Sequence, residues 1–337
     1  MHRCAVHLLA LCAAVPLAGC ATNAIRLESA GATQTSSREA VKAANGWFDA
    51  IEQRRRDAAA ALVASDPSCL PMTSLRIQVP RASSAAQAPL CLDGDTPAAG
   101  YVAFDIDIGT SPRDILEPRL ALLAAIADYV DALATILDEP KADVAAEITA
   151  FADQVDRVGR FANVAGTDLP DVNAAAATEQ GQGLIGLIAF AAELAREARR
   201  TEAVRALVLE RGDVVDRALS KIHEQVDGWG RGAARNAEDL YGNALFRTYL
   251  RNRRDLTAEQ REQLAGRIFA SREAARQVPA RAATVAEAVD LARKAQAGLR
   301  DALAGKLTRD QRRAAARLNL DRITRALGLV ASLARPA

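Results

Sequence analysis

The stretch RDILEPRLALLAAIADYVDALATILD, residues 113–138, decides the fold class. Leu116, Leu120, Leu123, Ala127, Val130, Ala134 and Leu137 follow one another at alternating spacings of four and three, and Ile115, Leu122, Ile126, Leu133 and Ile136 widen the stripe. That period winds apolar side chains onto one side of an α-helix, whereas a half-buried strand alternates every second residue. Pro140 ends the pattern, and Val144, Ile148, Phe151, Val155, Val158 and Ala162 resume it. Two consecutive amphipathic helices with a short break bury their stripes by folding back antiparallel.

The rest of the chain extends this pattern in both directions. Half of the residues are hydrophobic but only 4% are aromatic, and the excess of Ala, Leu, Arg, Glu and Gln favours helix over strand. Upstream, Val41, Ala44, Phe48, Ile51, Ala58 and Leu62, with Trp47 adjoining, mark the apolar side of a helix from about Ser37 to Ala64 that ends before Asp66-Pro67; Arg54, Arg55 and Arg56 interrupt that side. Downstream, Val204, Val208, Val215, Leu219, Ile222 and Val226 read as a helix that breaks at Gly228-Trp229-Gly230-Arg231-Gly232. Thr257, Thr284 and Thr308 each stand three residues before a Gln or Glu, the spacing of a capping box, and so mark three helix starts, with Gly305 as a stop before the last. Ala316, Leu320, Ile323, Leu327, Val330 and Ala334 give a final helix. No repeat of fixed length is present, so a solenoid is not the expectation.

One segment departs from helix. Residues 67–110 hold five prolines, Cys69, Cys91 and two runs with period two, Leu75-Ile77-Val79 and Val102-Phe104-Ile106-Ile108. Such runs bounded by Pro and Gly predict a small antiparallel hairpin. The fold expected is therefore mainly α, an antiparallel bundle of long helices with a β-hairpin inserted near residues 67–110.

The N-terminus carries the clearest functional signal. His2-Arg3 precedes an apolar run from about Ala5 to Leu17, too short to span a bilayer and built like a secretory leader. The run closes on Leu17-Ala18-Gly19-Cys20, which resembles the lipobox of bacterial lipoproteins. The resemblance implies that residues 1–19 are cut away and that Cys20 is acylated, so that it becomes the lipidated first residue. In such proteins an Asp directly after the cysteine favours the inner membrane; Ala21-Thr22 stand here instead and imply the outer membrane, facing the periplasm. Several acyl chains hold a protein firmly on a bilayer at about 0.8 kcal/mol per buried methylene. Residues 20–36, rich in Thr, Ser, Gly and Ala, have the composition of a flexible tether ahead of a helical domain at 37–337.

The compartment fixes further expectations. Cys4 and Cys12 leave with the leader, and in an oxidising environment the pair Cys69 and Cys91 reads as a disulfide stapling the hairpin. Nucleic acid is excluded as a partner. Residues 20–250 carry 23 Lys and Arg against 33 Asp and Glu, whereas residues 251–337 carry 19 against 9. The acidic body and basic tail attract each other within the chain, and the tail alternatively meets anionic lipid, anionic polysaccharide or an acidic partner.

Catalytic signatures are sparse. His223 is the single histidine after the leader and cannot build a multi-histidine metal site, and two thiols without histidines do not make a zinc tetrahedron. No nucleophile elbow, zinc-protease motif or phosphate loop is found. The glycine cluster at 228–232 lacks the preceding strand of a phosphate loop. Asp105 and Asp107 share a strand face, with Asp93-Gly94-Asp95 nearby, and would suit a carboxylate-based cell-wall hydrolase or a calcium site, but solvated aspartates on an exposed face are the simpler reading. Trp229, Tyr241, Phe246 and Tyr249 are read as core in preference to a ligand shelf. Residues 184–192, Leu-Ile-Gly-Leu-Ile-Ala-Phe-Ala-Ala, are apolar all round and read as a core helix, though they also resemble the short membrane-seeking segments of helical pore-forming toxins. The function expected is that of a non-enzymatic, lipid-anchored envelope protein without cofactor or metal. It binds a partner protein through a helical surface, as a scaffold or as a neutraliser of a toxin. A membrane-active protein using residues 184–192 is the alternative, and a hydrolase the weaker one.

Overall fold

A computed structural model describes residues 3–81, 88–92, 94, 96–108, 111, 113–138, 205–206, 208–210, 212–305, 310–311 and 314. The expected helices at 144–162, 184–192 and 316–334, the start at Thr308, and Asp93 and Asp95 lie outside these residues. The described chain is mainly helical with one small antiparallel sheet. Its elements are α1 (Arg3–Ser65), β1 (Ser74–Pro80), β2 (Tyr101–Asp107), α2 (Arg113–Asp138), α3 (Asp213–Gln225), α4 (Arg231–Asn252) and α5 (Ala258–Leu303). Among the described residues no helix is long and apolar enough to cross a membrane.

The chain packs as two compact units, one of residues 1–45, 117–224 and 285–328, the other of residues 46–116, 225–284 and 329–337. In the first, the buried stripe of α2 centres on Leu122, Ile126 and Tyr129, with Leu123 and Val130 beside them. Val215, Ala218, Leu219 and Ile222 of α3 and Val285, Val289, Leu291 and Ala292 of α5 supply further core, as the four-three spacing requires. Two polar contacts fix registers. Arg293 of α5 grips Asp216 of α3 through Nε at 3.0 Å and Nη2 at 3.2 Å, and the buried Gln296 donates from Nε2 to the Tyr129 hydroxyl at 2.9 Å. Burial raises the Tyr129 pKa above the usual phenol range, so the hydroxyl stays neutral.

Several expectations change at this level. Residues 20–36, read as a tether, lie within α1, where Thr33 and Ser36 are buried and Thr33 Oγ1 donates to the Ala295 carbonyl at 3.2 Å. Small hydroxyl side chains tolerate a helix when their hydroxyls find carbonyl acceptors, which composition alone does not reveal. The helix expected across Val204–Val226 turns at Gly212, whose amide bonds to the Val208 carbonyl before α3 begins. Thr284 does not start a helix. It lies inside α5 and its hydroxyl donates back to the Ala280 carbonyl at 2.9 Å, because the preceding Ala280-Arg281-Ala282-Ala283 keeps the helix running without a cap. Thr257, by contrast, forms the predicted capping box: its amide donates to Gln260 Oε1 at 2.9 Å, and the Gln260 amide to Thr257 Oγ1 at 3.2 Å. Gly305 ends the stretch after α5 with φ at 81°, a left-handed conformation that a side chain resists.

The glycine cluster at 228–232 is not a break either. Residues Val226–Gly230 form one π-helical turn that joins α3 to α4 without interruption. Glycine is required where another side chain arrives. A Cβ on Gly230 would lie 2.7 Å from Trp47 Nε1 and 3.2 Å from the Gln225 carbonyl oxygen, whereas nothing lies within 4 Å of one on Gly228. Trp229 meanwhile packs its ring against Phe48 at 5.8 Å. Gly230→Ala is therefore expected to destabilise by about 1–3 kcal/mol through overpacking, and Gly228→Ala to be neutral or slightly stabilising through helix propensity. Thermal unfolding of the two variants side by side checks the contrast.

Candidate functional site

The second unit holds the hairpin and, beside it, an open cleft. Leu75 stands opposite Ile106, Ile77 opposite Phe104 and Val79 opposite Val102, so one face of the sheet is apolar, as the alternation predicts. That face packs onto α1 and α4 around Leu62, Leu75, Leu90, Ile108, Ala244 and the disulfide, with Leu240 at the edge. Cys69 and Cys91 are bonded. The strand carrying Cys91 also covers the outer edge of β1: the Gln78 amide donates to the Leu90 carbonyl and the Leu92 amide to that of Arg76, each at 2.8 Å. Gln78, which the alternation would place outside, is buried, and its side chain bonds the Pro89 carbonyl and the Ala98 amide.

Where the packing opens, a cleft of about 450 Å³ lies between the hairpin, α1 and α4. Its apolar lining is Ile77, Ile106, Ile108 and Leu240; Asp107, Asp239, Asn236 and Asn243 provide carboxylates and amides, and Arg55 the one cation. Exposed Phe104 prolongs the apolar face of β2. A groove with an apolar lining and such polar groups suits an extended segment of another protein.

Three charged groups hold the walls of this cleft. Asp66, just after α1, is only 4% exposed and accepts Arg247 Nη2 at 2.7 Å and Arg251 Nη1 at 3.1 Å from α4, the amide and hydroxyl of Ser68 and the amide of Leu90. It thereby ties the end of α1, both sides of the disulfide loop and α4 together. Burial alone would raise its pKa, but the hydrogen bonds from Arg247, Ser68 and Leu90 outweigh that and hold the carboxyl well below the usual range. Glu52 of α1 accepts the Ser111 amide at 2.7 Å and the Ser111 hydroxyl, fixing the approach to α2. Glu238 of α4 takes Arg54 Nε at 2.9 Å and the Ser271 hydroxyl at 3.3 Å. Burial raises its pKa, against the opposing pull of Arg54 and Ser271.

The arginine run that interrupts the apolar stripe of α1 is thus accounted for. Arg54 pairs with Glu238 and lies 4.7 Å over the Tyr241 ring, Arg55 stands 3.9 Å from Glu52, and Arg56 bonds Gln53 at 2.8 Å. A raised carboxyl favours folding most when it is protonated. The Glu238 contribution is full below the unfolded carboxyl value near pH 4 and is lost as pH rises through the higher folded value. Glu238→Gln is accordingly expected to make stability rise more steeply between about pH 4 and pH 7. Urea unfolding across that range is the measurement, and unchanged slopes would contradict it.

The remaining sequence candidates fall apart in space or on the surface. Asp105 is exposed and 3.8 Å from Arg76, and Asp107, on the same strand face, reaches the cleft rim. Tyr241 lies between Arg54 and Arg267, Phe246 lies under Arg272, and Trp229 packs on Phe48, so these aromatics do not share a shelf. His223 is half-buried on α3. No cluster of three metal-ligating side chains occurs among the described residues. Cys20 lies within α1. Sequence reasoning took Asp66 only as a helix stop, although Asp66-Pro67-Ser68 is the composition of an Asx turn; Glu238 and Ser271 gave no local signal. No protein-family model, curated protein or solved structure matches the chain.

Proposed function

We propose that this protein is a lipoprotein of the bacterial cell envelope, anchored through acylated Cys20 to the outer membrane and facing the periplasm, which acts without catalysis by binding a partner protein. The observation that carries the anchor is the ending Leu17-Ala18-Gly19-Cys20 after a basic start and a short apolar run. The cleft between the hairpin, α1 and α4 supports the binding role: its apolar lining offers burial, and Asp107 favours a segment that carries a basic residue beside its apolar ones. Holding such a segment at the membrane serves a scaffold, and equally the neutralisation of a toxin entering the periplasm.

Two measurements test the reading. Replacing Cys20 by Ser should move the protein from the membrane pellet to the soluble fraction and abolish incorporation of labelled palmitate; retention in the membrane with unchanged labelling would remove the anchor. Leu240→Glu should place a carboxylate in the apolar part of the cleft and reduce recovery of any specific partner in affinity capture at least ten-fold, the equivalent of about 1.4 kcal/mol. Identical recovery with both chains would move the binding surface elsewhere.

A further inference from the structure

The helical hairpin of α4 and α5 presents exposed apolar side chains beside positive charge. Phe246 and Leu250 stand one turn apart on α4, 39% and 40% exposed, and Phe269 on α5 is 65% exposed. The Arg272 guanidinium lies 5.4 Å over the Phe246 ring, and Phe269, less than a turn before Arg272, shares that side of the helical hairpin. Within residues 246–276 eight arginines face four acidic residues. Some of those arginines are spent internally: Arg247 and Arg251 on Asp66, and Arg276 on Glu273. Arg253 and Arg254 in the turn and Arg272 beside the phenylalanines are exposed.

Large apolar groups exposed along one side of a helical hairpin, with arginines around them, match a bilayer interface: rings and Leu enter the acyl boundary while guanidinium groups meet anionic headgroups. An acidic protein surface would satisfy the charges alone, whereas an anionic bilayer satisfies the charges and also takes up the exposed rings and Leu250. From this geometry we infer that this side of the α4–α5 helical hairpin docks on an anionic lipid surface, with Phe269 and Leu250 inserted and Arg253, Arg254 and Arg272 on the headgroups. The contact goes beyond the acyl anchor and does not require it.

The test uses the full chain carrying Cys20→Ser, so that no acyl group contributes, with Phe269→Trp as a reporter at an exposed position. Phosphatidylcholine vesicles with or without phosphatidylglycerol, containing brominated acyl chains, are added, and emission is compared with that of the Cys20→Ser chain lacking the reporter. Quenching at position 269 is expected on the phosphatidylglycerol vesicles alone. Neutralising Arg253, Arg254 and Arg272 to Gln should weaken binding about five-fold each, roughly a hundred-fold together. Quenching of equal strength on neutral vesicles would overturn the inference, as would cosedimentation with position 269 unquenched, which would assign binding to another part such as the apolar leader. An unquenched position that is nevertheless shielded from iodide by an envelope protein extract would also overturn it, in favour of a protein occupant. None of these outcomes bears on palmitate labelling of Cys20, so failure here and failure of the anchor are distinguishable.

Discussion

Replacing Cys69 and Cys91 together by Ser is expected to lower the unfolding free energy by about 3 kcal/mol, the loop-closure entropy of a cross-link over 22 residues. The effect acts through the unfolded chain, whose loop becomes free, so the denaturant slope should rise along with the fall in midpoint. The folded hairpin retains its apolar face on Leu62 and Ala244 and the covering strand at Leu90–Leu92, which is why the unit is expected to survive the loss. A two-stranded hairpin alone would not. Urea unfolding of the double-Ser variant, and of the wild type with and without reductant, measures it; a difference below about 1 kcal/mol would mean that the cross-link restrains nothing the core does not already hold.

Asp66→Asn should cost about 3 kcal/mol at neutral pH, because one buried carboxylate serves two arginines, a hydroxyl and two amides, and charged hydrogen bonds lose the most when a partner goes. Arg247 and Arg251 are partly exposed and can turn to water, which keeps the cost below that of a fully buried pair. Acid reveals the same group. With its pKa held down in the folded state, Asp66 contributes stability that is present above the unfolded value near pH 4 and is lost as pH falls towards the folded one. The gap between wild type and Asp66→Asn should therefore narrow progressively below about pH 4. Asp239→Asn is the matched control: its exposed pair with Arg235 should contribute less than about 1 kcal/mol. Since Asp66 and the disulfide restrain the same loop, the combined variant should lose less than the two separate effects together.

The helical class was legible because burial on a helix imposes a period, and residues 113–138 display it without reference to any partner. The centre of the stripe was less so. The Tyr129 hydroxyl is satisfied within the core because Gln296, far along the chain, donates to it. The same holds at the cleft. The alternating strands, the cysteine pair and the capping box at Thr257 are local signals, and each took the expected form. Arg54, Glu238 and Ser271 carry no local mark and acquire their roles from elements more than thirty residues apart, as the separations of 184 and 33 positions show.

What the sequence by itself determined is thus what short-range physics writes into a chain: helical periodicity, a stapled hairpin, and the basic, apolar and small-residue order that ends at Cys20. The tertiary structure decided where the glycines of 228–232 are needed, since a Cβ at Gly230 is excluded chiefly by Trp47 of a distant segment. It likewise decided that Thr33 and Ser36 pack and that Asp66 is a junction. Close approach and buried charge depend on which surfaces meet, and that follows from long-range packing that no window of sequence contains.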